Sequence, residues 1–154
     1  VCYGGGLQIA LAADMRIAAP DADLSIMEAK WGLIPDMSGS VSLRELLPMD
    51  QAMRLTMTGE RFSGTRAAEL GLVTEVSADP LATAQALARE ICTRSPDSVV
   101  LTKALFRQSW TTSERKAFRI ESALQLKLLR GRNHREAVKA NAEKRAPVFA
   151  PRSV

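Results

Sequence analysis

The run Gly4-Gly5-Gly6 constrains this chain more than any other stretch. Three consecutive glycines strip the backbone of side chains. The apolar segment Leu7-Gln8-Ile9-Ala10-Leu11-Ala12-Ala13 follows at once and reads as the opening turns of a buried helix. A helix start presents unpaired main-chain N–H groups and the positive end of the helix dipole. Glycine at that point lets a ligand approach the main chain itself. Such a place can hold a phosphate, or an oxyanion that forms during a reaction. It also serves plain packing, as a glycine turn where a helix crosses a strand. The spacing fits neither a dinucleotide-binding fingerprint nor a P-loop.

The 154 residues suffice for one domain with a core, or one domain plus a helical extension. The net charge of +4 comes from lysines and arginines dispersed among acids. No basic stripe is interleaved with aromatics, which argues against nucleic-acid binding, while the positive balance suits a small anionic ligand. Cys2 and Cys92 make neither a disulfide framework nor a metal site and read as core residues. The single histidine, His134, excludes a histidine-rich metal cluster and most Ser-His triads. No apolar run approaches the roughly 20 residues that span a membrane, and no signal peptide is visible. The expected location is therefore the cytoplasm. The sequence opens on Val1, a few residues before the glycine run, as the later part of a longer protein would.

Taken in order, residues 1–78 read as α/β and residues 79–154 as all-helical. Asp14 to Ala19 alternates polar and apolar side chains, the period of a half-buried strand. Leu24-Ser25-Ile26 is a second strand, and Leu33 to Ser40 is a loop broken by Pro35 and Gly39. A helix from about Ser38–Ser40 to Leu47 would bury Val41, Leu43, Leu46 and Leu47; Pro48 ends it, and the next starts at Met49-Asp50 and runs through Gln51 to Thr58. Ser63 is a good N-cap for Gly64 to Leu70, with Gly71 closing that helix and Leu72 to Val76 a strand. Four helices then follow, at about Pro80–Thr93, Asp97–Ser109, Ser113–Leu129 and Arg135–Glu143, the last two separated by a break at Gly131-Arg132-Asn133.

Few residues suit proton transfer. Glu28 follows the apolar Ser25-Ile26-Met27, and Asp36 follows Leu33-Ile34-Pro35. A carboxylate set among apolar groups is pushed toward the working range of a general acid/base. Taken singly, each reads first as a structural acid. With the glycine run upstream they form a candidate site of one oxyanion donor and one or two carboxylates. Lys30 reads as a surface residue, and the arginine-rich stretch around His134 as a solvated helix end.

These stretches carry a resemblance. Tyr3 to Ala18 resembles the signature segment of the crotonase (enoyl-CoA hydratase/isomerase) superfamily, and Ser25 to Gly39 resembles its second active-site segment. Thr58 to Ser63, Ala67 to Val73, Glu136-Ala137-Val138 and Lys144 to Phe149 are similar to its later motifs. The resemblance implies a crotonase-like spiral of ββα units, present here in part, followed by a C-terminal α-helical region that packs at a trimer interface. Trimers of such proteins often pair into hexamers. It implies an acyl-coenzyme A thioester as ligand, with coenzyme A part of the substrate and no further cofactor or metal. The thioester enolate would be held by two backbone N–H groups, one of them Gly5, with Gly4 and Gly6 lining the substrate.

Glu28 falls where hydratases and isomerases keep a catalytic glutamate, and Gln8 where hydratases keep a second one. A glutamine can hold a water but cannot take or give a proton. The resemblance therefore favours isomerisation, with Glu28 shuttling a proton between two carbons, over hydration. Asp36 falls where dienoyl-CoA isomerases carry an acid, and Lys144 resembles a lysine that reaches coenzyme A across a subunit boundary. The family's long N-terminal half, with the first oxyanion N–H and much of the coenzyme A cleft, does not occur in this sequence. The other reading is a non-catalytic coenzyme A-binding or assembly protein of the same fold, which Gln8 also suits.

Overall fold

Short strands and short helices alternate through the first half of the chain, and helices alone fill the second. The computed structural model describes residues 1–154. In order it has β1 (Cys2–Tyr3), α1 (Gly5–Leu11), β2 (Ile17–Ala18), β3 (Asp23–Ser25), a 3₁₀ turn (Glu28–Trp31), α2 (Gly39–Leu46), α3 (Met49–Thr58), β4 (Phe62–Ser63), α4 (Gly64–Leu70) and β5 (Glu75–Val76). Four helices follow: α5 (Pro80–Cys92), α6 (Pro96–Ser109), α7 (Glu114–Leu129) and α8 (Arg132–Ala142). Two compact units divide at residues 1–86 and 87–154, inside α5. The sequence changes character a few residues earlier, near residue 78.

In the first unit β1 and β4 flank β3, parallel and antiparallel respectively, and β2 pairs in parallel with β5. Leu7 and Leu11 of α1 pack with Leu24, Ile26, Leu43, Leu47, Leu55, Phe62, Ala67 and Leu72 in one apolar core. Burial of such side chains, at about 25 cal/mol per Å² of apolar surface, is the main term that orders so many short elements. Local caps then set their ends. Ser63 Oγ accepts from the Arg66 N–H at 3.1 Å, and α4 ends at Gly71, whose φ of 85° is left-handed.

Several expectations need correcting. Helix α1 starts at Gly5, inside the glycine run, rather than at Leu7. The strand read over Asp14 to Ala19 shrinks to Ile17–Ala18. The Arg16 guanidinium donates to the carbonyls of Leu11, Ala13 and Leu72, so the chain turns to cap α1 instead of extending. The strand read over Leu72 to Val76 likewise shrinks to Glu75–Val76, because the Leu72 and Val73 N–H groups bond back to the Ala67 carbonyl. Val41 is exposed and Ser42 buried in its place, and Cys92 is exposed while Cys2 is half-buried.

The second unit holds a buried polar pair that the helix pattern does not reveal. The stretch read as a break, Gly131-Arg132-Asn133, instead opens α8. Asn133 is 1% exposed; its Nδ2 donates to Asp97 Oδ2 at 2.9 Å and to the Ala150 carbonyl at 3.1 Å, and its Oδ1 accepts from the Ala150 N–H at 2.9 Å. Asp97 accepts from the Ser153 N–H at 2.8 Å and from its hydroxyl at 3.1 Å. Every polar atom of the pair is matched, so these hydrogen bonds offset the cost of burying it and tie down the C-terminal tail. No helix is long and apolar enough to cross a membrane.

Candidate active site

The site starts at Gly4. Its φ of 53° and ψ of −128° suit glycine alone, and the turn aims the chain from β1 into α1. The Gly4 N–H donates to the Ser25 carbonyl at 2.9 Å, which fixes the turn against β3. A Cβ on Gly4 would stand 3.3 Å from Glu28 Oε1. The missing side chain therefore makes room for the Glu28 carboxyl, which the 3₁₀ turn after β3 carries back under α1. The first N–H of α1 with an acceptor inside the turn is that of Gln8, 3.0 Å from the Gly4 carbonyl. The Gly5 and Gly6 N–H groups stand ahead of it, in the part of a helix that offers donors to a ligand.

Gln8 and Glu28 meet. Gln8 is 1% and Glu28 7% exposed. Gln8 Nε2 donates to Glu28 Oε1 at 2.5 Å. Gln8 Oε1 accepts two main-chain N–H groups of the following loop, Met37 at 2.8 Å and Gly39 at 3.0 Å. Glu28 Oε2 is buried with no hydrogen-bond partner. Met37 lies over Gly5: its sulfur would be 2.6 Å from a Cβ there. A ligand that reaches Gly5 from that side must move this unbranched, half-exposed side chain, an adaptable one.

The remaining candidates are placed differently. Asp36 neighbours Met37 in the loop but is exposed, so the apolar setting expected for it from Leu33-Ile34-Pro35 does not form. Leu33 and Ile34 themselves face solvent, as does Trp31, with Lys30 Nζ 5.7 Å from its ring centroid. Asp23 is held ionised, down to about 2, chiefly by the Arg61 guanidinium and also by the Tyr3 hydroxyl, and so is no proton carrier. Lys144 belongs to the second unit, just past α8, with a left-handed φ of 54°. Its N–H bonds the Asn141 carbonyl and the Arg145 N–H bonds that of Ala140, a Schellman close with lysine where glycine is usual. No side chain in the sequence marks the Met37 and Gly39 amides as part of the site. Their only signal is the pair of breakers, Pro35 and Gly39, around them.

The chain matches the family model for enoyl-CoA hydratase/isomerase over residues 1–152. It belongs to that family. Carnitinyl-CoA dehydratase from Salmonella typhi is 32% identical over 156 aligned residues, which cover 97% of this chain and 60% of that protein. Among solved structures, an enoyl-CoA hydratase from Mycobacterium tuberculosis superposes with a TM-score of 0.91 at 34% identity, covering 98% of this chain and 61% of the other. One from Polaromonas sp. does so with 0.91 at 32% identity, covering 97% and 59%. The fold is thus the crotonase fold. The chain spans about 60% of the length of the relatives it matches.

Proposed function

We propose that this family member acts on acyl-coenzyme A thioesters through an enolate, with Glu28 as the proton carrier. The observation that carries the proposal is the buried, unpartnered Glu28 Oε2 beside the side-chain-free start of α1. A buried acceptor without a partner is rare in folded proteins and costs about 1–3 kcal/mol. It is the kind of group a site keeps for a proton that arrives with the substrate.

In this reading the Gly5 N–H stabilises the enolate oxygen, with Gly4 and Gly6 beside the thioester. The α C–H bond breaks, its proton goes to Glu28 Oε2 and its electron pair to the thioester carbonyl. In a 3-enoyl thioester the same proton then returns to the γ-carbon, and the electron pair closes the 2-enoyl double bond. Isomerisation is favoured over hydration because Gln8, unlike a second glutamate, carries no transferable proton. Lys144 would meet coenzyme A, and the helical second unit would assemble a trimer.

The test is turnover of 2-enoyl- and 3-enoyl-coenzyme A in deuterated water. Conversion of the 3-enoyl substrate should fall by about 10²–10⁴-fold in Glu28→Gln, the usual contribution of a general acid/base. Activity that survives this change would overturn the role of Glu28. Asp36→Asn should leave the rate near wild type if Asp36 lies outside the reaction.

A further inference from the structure

We infer that Gln8 is a positioning residue that turns Glu28 into a one-atom proton carrier, leaving Oε2 as the sole oxygen that exchanges protons with the substrate. The inference rests on the enolate reading above and specifies how its acid/base group is set.

The geometry admits one orientation of the Gln8 amide. Two main-chain donors, Met37 N–H and Gly39 N–H, point at one of its terminal atoms, which must therefore be the carbonyl oxygen. The other terminal atom is then the NH₂ group, and it faces Glu28 Oε1. Flipping the amide would set donors against donors and an oxygen against a carboxylate oxygen. Because Gln8 is buried, water cannot relieve either clash. The loop from Pro35 to Gly39 thus dictates the amide, and the amide dictates which carboxylate oxygen is occupied.

Two chemical consequences follow. Both lone pairs of Gln8 Oε1 are taken by the main chain, so this oxygen has no capacity left to accept a proton from a water. Gln8 therefore does not do the work of a water-holding acceptor. Glu28 Oε1 is engaged as an acceptor, while Oε2 has none of these partners. The side chain's one free atom is thereby fixed in position before any substrate arrives. A single carrier of this kind suits reactions that lift a proton from one carbon and return it to another of the same thioester, with no water consumed.

The experiment combines a spectroscopic and a kinetic readout on the wild-type protein, Gln8→Met and Gln8→Glu. Methionine keeps the side chain's length without its hydrogen bonds. Glutamate keeps the acceptor for Met37 and Gly39 but, when ionised, offers Glu28 no donor. In ¹⁵N-labelled wild type, one side-chain NH₂ proton of Gln8 should resonate downfield and resist solvent exchange, and this signature should vanish in Glu28→Ala. In the kinetic arm, deuterium uptake at the α-carbon of butyryl-coenzyme A should slow by about 10²-fold in both Gln8 variants at unchanged KM, the loss typical of a misplaced catalytic group. Should Gln8→Met fail to fold, Gln8→Glu carries this arm.

A Gln8 amide at the ordinary glutamine position with fast exchange would overturn the clamp, whatever the activity. A protected amide in a protein that exchanges no α-proton would instead overturn the carrier role of Oε2, together with the enolate reading. Hydration of a 2-enoyl thioester by wild type as fast as isomerisation of a 3-enoyl thioester would overturn the one-atom assignment alone.

Discussion

Gly39→Ala sets two effects of opposite sign against each other at the foot of the site. Gly39 is the first residue of α2, where alanine is the better helix former by up to about 1 kcal/mol. On propensity alone the change should stabilise. The structure points the other way. A Cβ on Gly39 would sit 2.7 Å from Gln8 Oε1, 3.1 Å from Gln8 Cδ and 2.8 Å from Pro35 Cβ. Carbon contacts are comfortable at about 3.5–4.0 Å, so the Gln8 amide or the loop must yield by several tenths of an ångström. Overpacking of this sort costs about 1–3 kcal/mol. If the amide moves, the Met37 and Gly39 N–H groups also lose their acceptor, at about 1 kcal/mol each.

The net expectation for Gly39→Ala is a loss of about 2 kcal/mol. Urea unfolding at neutral pH should show it as a lower midpoint at unchanged slope. In a Gln8→Ala background the clash with the amide is gone. The cost of Gly39→Ala should there shrink by about 1 kcal/mol, a coupling that a double-mutant cycle resolves. A midpoint equal to or above wild type in the single variant would refute the reasoning, and with it the claim that Gln8 is locked against the loop.

Three further outcomes are expected. Lys144→Gly relieves a left-handed φ and should raise stability by up to about 1 kcal/mol, while weakening coenzyme A binding by calorimetry if Lys144 meets the ligand; a destabilised variant would refute the strain. Ser63→Ala removes the N-cap of α4 and should cost about 1 kcal/mol in urea unfolding, an unchanged midpoint counting against the cap. Asp97 is held below the ordinary carboxylate range, chiefly by the Ser153 N–H. A depressed folded pKa adds stability above the unfolded value near 3.8, and that stability is lost as pH falls through the folded value. The Ser153 amide resonance should accordingly move toward its unfolded position only below pH 3.8, and a shift complete at pH 5 would contradict the pairing.

Much of the fold is legible because its signals are local. The Ser63 cap and Gly71 bracket α4 within a residue of the expected ends, and Pro96 and Ser113 open α6 and α7 where the breakers stand. The glycine run marks the site for the same reason, since a backbone free of side chains is visible in three letters. Strand lengths are less legible, because a turn carbonyl or a side chain from elsewhere ends an alternating run early. Arg16 answers to the Leu72 carbonyl 56 residues on, and no alternation pattern registers such a partner.

The sequence by itself determined the family, the change from an α/β part to an all-helical part, and the two residues, Gln8 and Glu28, whose side chains meet. Tertiary structure alone decided what they do to each other. It buried Glu28 and exposed Asp36, although both follow apolar residues, because burial depends on which segments return to cover a side chain. It also brought the Met37 and Gly39 amides, about thirty residues along the chain, onto Gln8 Oε1. Main-chain donors are the same for nearly every residue type, so no letter in the sequence announces where one will point.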